Sequence, residues 1–189
     1  MSLREVFNKI APSWARLRTK PLSFVLEFLK GKSGTILVEG CGSGRHSVTA
    51  SELGFKVLGI DFSPEMVKIA LKQDPEGSYL VADVRALPFK DKVFDYSLSI
   101  AVLHHLEPEE GLVALRELKR VTSNESLISV WSKEQPRFKD SPKQLMIPWG
   151  TELRFYYLYE SEEFKRLAGK VFEKVKEVPD EQNIILRVF

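Results

Sequence analysis

The chain has few of the residues that build covalent or metal-bound frameworks. Its 189 residues include one cysteine, Cys41, and three histidines, His46, His104 and His105. A single cysteine excludes an internal disulfide and any cysteine-rich zinc site. The histidines are too few to suggest a metal cage, so no metal is expected. No apolar run reaches bilayer-spanning length, and the start, "MSLREVFNKI", lacks the apolar stretch of a signal peptide. A cytoplasmic protein with no membrane partner is the expectation. Internal repeats and low-complexity tracts are also missing.

What remains is the composition of a globular protein, 43% apolar and 29% charged with a net charge of +2. The length suits one domain. Charge is spread unevenly: residues 1–32 hold seven basic and two acidic side chains, whereas 33–131 hold ten basic and fourteen acidic. The basic N-terminal segment reads either as a phosphate-contacting patch or as a solvated helix face.

Residues 1–32 read as a helical cap in pieces broken by Pro12 and Pro21. Apolar strands then alternate with amphipathic helices. Strands are expected at Thr35–Val38, Lys56–Ile60, Ser78–Ala82, along "FDYSLSIAVL" and at Ser126–Val130. Helices are expected up to Leu53, from the cap Ser63 with Pro64 in the first turn, and along "EPEEGLVALRELKRV", with Leu112, Leu115, Leu118 and Val121 on one face. This alternation predicts a parallel sheet covered on both faces. Residues 33–131 form that core. Residues 132–160, rich in proline and aromatics, read as an arm, and 161–189 as a short helix followed by an antiparallel hairpin.

The chemistry concentrates in "ILVEGCGSGRHS", where a strand empties into Gly40, Gly42 and Gly44. A strand, a glycine turn and a helix start together make a nucleotide-cofactor site, because bare backbone admits the ligand and the helix N-terminus offers free N–H groups. The third glycine comes one residue earlier than the dinucleotide fingerprint requires. Arg45 stands in its place, which argues against a bound pyrophosphate and a nicotinamide dehydrogenase. Asp61 ends the second strand, where a carboxylate accepts ribose hydroxyl protons. Asp83 ends the third, where an acid suits an exocyclic amine. Asp95, before the fourth strand, reads as a turn residue.

In order and spacing, "VEGCGSG", "GIDFSPEM", "ADVRALPF" and "FDYSLSIAVLHHL" resemble the core motifs of class I S-adenosylmethionine-dependent methyltransferases. The resemblance implies a Rossmann-like three-layer α/β sandwich whose seven-stranded, mostly parallel sheet has its last strand antiparallel. It implies S-adenosylmethionine as cofactor and S-adenosylhomocysteine as product. Gly40, Cys41, Gly42 and Gly44 would surround the methionine part, Asp61 the ribose, and Phe62, Asp83 and Val84 the adenine. Ser99 and Ile100 would border the methionine end. The family's acid two residues before the first glycine is Val38 here. Glu39 is one place late, so strand alternation turns it to the other face unless the strand end twists.

Outside the core, "FNKIAPSWARLRTKPLSFV", "SVWSKEQP", "IPW" and "LRFYYLY" resemble the tRNA wobble-uridine carboxymethyl methyltransferases. That implies esterification of the carboxylate of 5-carboxymethyluridine. The usual proline-glycine turn before the fifth strand is replaced by "SNES", and 132–153 is short for the family. A carboxylate acceptor is ionised already and needs cations to orient it rather than a base. Arg18 and Arg154 are candidate catalytic residues of that type, and Lys20 a candidate substrate-binding one. His104 and His105 follow the fourth strand, placed to bond the acceptor or to act as a base, with a structural role the alternative for one of them. Trp149 and Tyr157 belong to an aromatic run that could stack on an unpaired base or fill the core. The resemblance also implies tRNA and a small zinc-binding activator at the third-strand edge as partners, and a homodimer is equally open. The alternatives are a methyltransferase of small quinones or carboxylic metabolites, and a scaffold on this fold without chemistry.

Overall fold

The computed structural model describes residues 1–189. Helix α1 spans Leu3–Leu17 and α2 Ser23–Leu29. Then follow β1 (Thr35–Glu39), α3 (Arg45–Glu52), β2 (Lys56–Asp61), α4 (Pro64–Gln73), β3 (Ser78–Val81) and β4 (Phe94–Ile100). Helix α5 (Pro108–Val121) runs straight into β5 (Thr122–Trp131). The rest is a ribbon of β6 (Gln144–Trp149) and β7 (Glu152–Tyr157), α6 (Ser161–Gly169), β8 (Val175–Val178) and β9 (Asn183–Val188). No helix is long and apolar enough to cross a membrane.

Seven strands form one sheet in the order β3-β2-β1-β4-β5-β9-β8. The first five pair in parallel, while β9, the last strand of the chain, lies antiparallel to both its neighbours. Period-two alternation sends Ile36, Val38, Leu98 and Leu127 to the face covered by α2 and α3. It sends Ile128, Val130, Leu186 and Val188 to the face covered by α5 and α6. The expected α/β sandwich is therefore present.

Two segments depart from expectation. Helix α1 is not broken at Pro12, which sits exposed inside it. A reciprocal cap between Ser2 and Glu5 starts the helix, and Val6, Phe7, Ile10, Ala11 and Ala15 are buried along one face. That burial offsets the one backbone bond that proline cannot make. The 144–157 segment is a paired ribbon turning at Gly150, whose φ is +60°. Pro148 is tolerated there because a two-stranded ribbon has only edges. Asp95 acts as the expected turn residue: its carboxylate accepts the Thr35 N–H and hydroxyl, both at 2.8 Å.

Candidate active site

The carboxyl ends of β1, β2, β3 and β4 open into a cavity of about 790 Å³. This is where ligands sit in open parallel sheets. The floor is the glycine turn, with Gly40, Cys41, Gly42 and Ser43 facing the space. Gly40 has φ +55°, and a Cβ there would lie 2.4 Å from Val102 Cγ2, so the turn closes only without a side chain. Gly44 caps α3 in the left-handed region and packs on Ala70 and the Tyr79 hydroxyl rather than lining the cavity.

Asp61 is pinned at the cavity wall. Its Oδ2 accepts the Gly42 N–H and its Oδ1 the Ser63 N–H, each at 2.9 Å. Burial pushes its carboxyl up to about 6, against the pull of those donors. Phe62, Val84 and Met66 supply apolar wall beside it. Asp83 also lines the cavity, but Arg85 grips both its oxygens, at 3.0 Å through Nε and 2.6 Å through Nη2. Arg85 also pairs with Glu110 on α5.

Helix α1 and the β6–β7 ribbon roof the cavity. Trp14 of α1 packs on Trp149 of β6 with ring centroids 4.9 Å apart, and the Trp149 Nε1–H donates to Ser13 Oγ at 2.8 Å. Below this roof, Arg18 and Arg45 line the space. The arginine ion pairs in the chain belong to Arg85, Arg120 and Arg187, so neither Arg18 nor Arg45 has a carboxylate within 4.0 Å. Arg45 donates to the Lys20 carbonyl at 3.4 Å, and burial beside Arg18 lowers it to about 10. The Arg18 Nε is buried without a partner. His46, 5% exposed, also lines the cavity with both ring nitrogens unpartnered, and burial beside Arg45 drops it to about 3.

The expected site residues thus divide. Arg18, His105, Gly40, Cys41, Gly42, Asp61, Phe62, Asp83 and Val84 share the cavity, as does Ile100. The imidazole of His105 is 2.8 Å through Nδ1 from the Phe155 carbonyl, which assigns the proton to Nδ1 and leaves Nε2 as an acceptor. Burial lowers His105 to about 4, so it is neutral. His104 lies behind it, its Nδ1 accepting the Trp131 N–H at 3.0 Å and its ring stacked on Tyr156, a structural position away from the cavity. Arg154 is also one layer back, wedged among Trp14, Trp149 and Tyr156, donating to the Tyr156 hydroxyl at 2.7 Å. Trp149 belongs to the roof. Tyr157 packs in the core and donates to Glu163 at 2.6 Å. Lys20 is exposed and offers the site only its carbonyl.

Ser99 and Glu39 point away from the cavity, toward the face that holds Glu117. Both Glu39 oxygens and the Ser99 hydroxyl are buried without a hydrogen bond of good geometry, and burial raises Glu39 to about 8 against the pull of the neighbouring Ser99 hydroxyl. The strand end therefore does not twist to present Glu39. Sequence reasoning missed Trp14, Arg45 and His46 as parts of the site. An arginine directly after a glycine loop, at the first position of a helix, was the available signal for Arg45.

Comparison with known proteins gives consistent findings. The family described as "Methyltransferase domain" matches residues 37–130. A tRNA (carboxymethyluridine(34)-5-O)-methyltransferase of Schizosaccharomyces pombe is 31% identical over 165 residues, 82% of this chain and 70% of that protein. The chain spans 35% to 56% of the length of the first curated relatives it matches, from cattle, mouse and Saccharomyces cerevisiae. A solved Pyrococcus horikoshii protein superposes with a TM-score of 0.76 at 24% identity, covering 93% of this chain and 90% of its own. The complex of a Haloferax volcanii Trm112 methyltransferase activator with its methyltransferase partner gives a TM-score of 0.75 at 17% identity, covering 99% and 96%. These structural likenesses bear on the fold alone.

Proposed function

The chain belongs to the S-adenosylmethionine-dependent methyltransferases, and from that premise we propose that it methylates the carboxylate of 5-carboxymethyluridine at the wobble position of tRNA. The cavity fits the cofactor. Bare main chain at Gly40 and Gly42 faces it, and Asp61 presents an anchored carboxylate whose remaining lone pairs suit hydroxyl donors. Phe62, Met66 and Val84 suit an adenine, with Asp83 at its edge. When bound, the cofactor supplies an electrophilic methyl group on a sulfonium.

The observation that carries the acceptor assignment is Arg18, a cavity-lining guanidinium without a counter-ion; its neighbour Arg45, at the start of α3 after the glycine turn, would meet the cofactor's own methionine carboxylate. Mutually repelling, half-buried cations are relieved by an anion, and a guanidinium holds a carboxylate through two parallel bonds. Arg154 stands behind them as a positioning residue and adds to the positive field. No general base is required, because a carboxylate is ionised at neutral pH. Neutral His105 lines the cavity without adding charge. Helix α1 and the ribbon exclude water and fix alignment, an effect of about 7–11 kcal/mol in well-oriented systems.

The printed names of the fungal and mammalian relatives support tRNA as the acceptor. The β3 edge supports a protein partner: it is unpaired on one side, with Leu80 39% and Val81 40% exposed. The activator in the Haloferax complex suggests what kind of partner covers such an edge, and a second copy of the chain is the other occupant considered.

Arg18→Met tests the acceptor reading. It should leave cofactor affinity within about twofold and reduce transfer to tRNA by about a hundredfold, a loss of about 2–4 kcal/mol as for one removed charged contact. The methyl already transferred should be released by mild alkali, as an ester is and an N-methyl group is not. An alkali-stable product, or undiminished transfer by the variant, would contradict the proposal.

A further inference from the structure

Beyond the cavity, a stack of rings and guanidiniums leads outward from His105. Tyr156 lies edge-on to His105 at 4.4 Å, and Trp131 stacks on Tyr156 at 4.7 Å with an interplanar angle of 25°. The Arg137 guanidinium then lies over Trp131 at 4.5 Å and over Phe138 at 4.4 Å. Those two rings are tilted by only 31°, so they form a nearly continuous floor under it.

Arg137 is anchored over that floor. Its Nε–H donates to Gln135 Oε1 at 2.8 Å. Gln135 is oriented in turn, because its amide N–H donates to the Gln182 carbonyl and leaves only the oxygen for Arg137. Gln135 is 4% exposed, so this anchor is buried, while Arg137 itself is exposed. Neither Nη group of Arg137 makes a hydrogen bond, and no carboxylate pairs with it. A surface arginine that only solvates itself is mobile; this one has one face covered, one face open and its donors free.

We propose that the outer face of Arg137 is a stacking platform for an unpaired base of the RNA acceptor, with its free Nη groups on the adjoining phosphate. The proposal rests on the RNA reading of the acceptor and names the residue that grips the nucleotide beside the target. A planar guanidinium on an aromatic floor presents a flat cation of the kind that stacks splayed-out bases. Three ring spacings separate it from cavity-lining His105, the reach of a neighbouring nucleotide rather than of the reacting one. The phosphate preference follows from free Nη donors with no carboxylate within 4.0 Å.

The test is fluorescence anisotropy with a labelled, unmodified RNA hairpin carrying a single-stranded loop. Arg137→Ala should weaken hairpin binding about tenfold, as loss of one stacked base does. Arg137→Lys, which keeps the charge and loses the plane, should recover no more than about threefold. S-adenosylhomocysteine binding by calorimetry should be the same in all three proteins. Equal hairpin affinity of wild type and Arg137→Ala, full rescue by lysine, parallel loss of cofactor binding, or no hairpin binding by the wild type would each overturn the platform. Methyl transfer to a carboxymethyluridine hairpin is read separately. A protein that binds RNA through Arg137 but transfers no methyl keeps the platform and loses the acceptor assignment.

Discussion

Asp61 and Glu39 end neighbouring strands and are both buried, yet they have opposite surroundings. Asp61 accepts two main-chain N–H groups and borders the cavity, whereas neither Glu39 oxygen has a hydrogen bond of good geometry. If Asp61 holds the ribose as proposed, the ribose hydroxyl donors favour the ionised carboxylate and lower the carboxyl below about 6 on binding. Cofactor affinity should therefore decline as pH drops through 6, toward tenfold per unit. Asp61→Asn should bind S-adenosylhomocysteine at least about tenfold more weakly and lose that pH dependence. Calorimetry between pH 5 and 8 checks both, and an unchanged profile in the variant would remove Asp61 from the site. Glu39 keeps its proton up to about 8 in the fold, whereas the unfolded chain releases it near 4.5. The folded state thus holds more protons between those values, and its stability falls as pH rises. Glu39→Gln should stabilise the chain at neutral pH by on the order of 2–3 kcal/mol, with little effect at pH 4. Thermal melts at the two pH values decide, and equal gains at both would contradict the assignment.

At the scale of elements, the roof made by α1 and the β6–β7 ribbon is where fold and site meet. Its two halves are held by Trp14 against Trp149, by the bond from Trp149 to Ser13 and by a 3.5 Å ion pair between Lys9 and Glu152. The lysine of that ion pair is exposed, and at 3.5 Å the pair contributes little. Trp149→Ala should therefore loosen the roof at a cost of about 1–3 kcal/mol. Cleavage within residues 1–20 by a protease should speed up while the sheet core stays resistant, and unchanged cleavage would show that the ribbon does not hold α1. The core was legible in the sequence because each of its elements carries its own signal: a continuous apolar run for β1, period-two alternation for β4, Ser63–Pro64 for α4, glycines for the turn. The roof was not, because its determinants are long-range. Pro12 reads as a break when α1 is considered alone, and only packing on α4 and the ribbon keeps the helix whole. Likewise Arg154 and Arg18 look equivalent in sequence, but Tyr156 holds Arg154 a layer behind the cavity. His104 and His105 are adjacent in the chain, and only the second reaches the cavity.

Across the whole molecule, the modest net charge of +2 conceals an arrangement of arginines. Of eleven arginines, Arg85, Arg120 and Arg187 are paired with carboxylates; among the other eight, Arg18, Arg45, Arg137 and Arg154 form a connected set. Three of those four bear on one hydroxyl, that of Tyr156, and Arg45 bears on Arg18. A fold that leaves several cations uncompensated on one side is built to meet an anion with more than one charge. Under the proposed function those cations would favour an anionic acceptor, RNA or a carboxylic metabolite, over a neutral one. At the other end of the cavity Asp83 and Glu110 are both paired with Arg85, which leaves Asp61 as the acid without a cationic partner there. The most direct test is mass spectrometry of nucleosides digested under mild conditions from tRNA incubated with the protein and isotope-labelled S-adenosylmethionine, with a Trm112-type activator added if the chain alone is inactive. The account predicts the label in a methyl ester on the carboxymethyl group of a wobble uridine. Label confined to free small molecules, or to a ring nitrogen of another nucleoside, would contradict it.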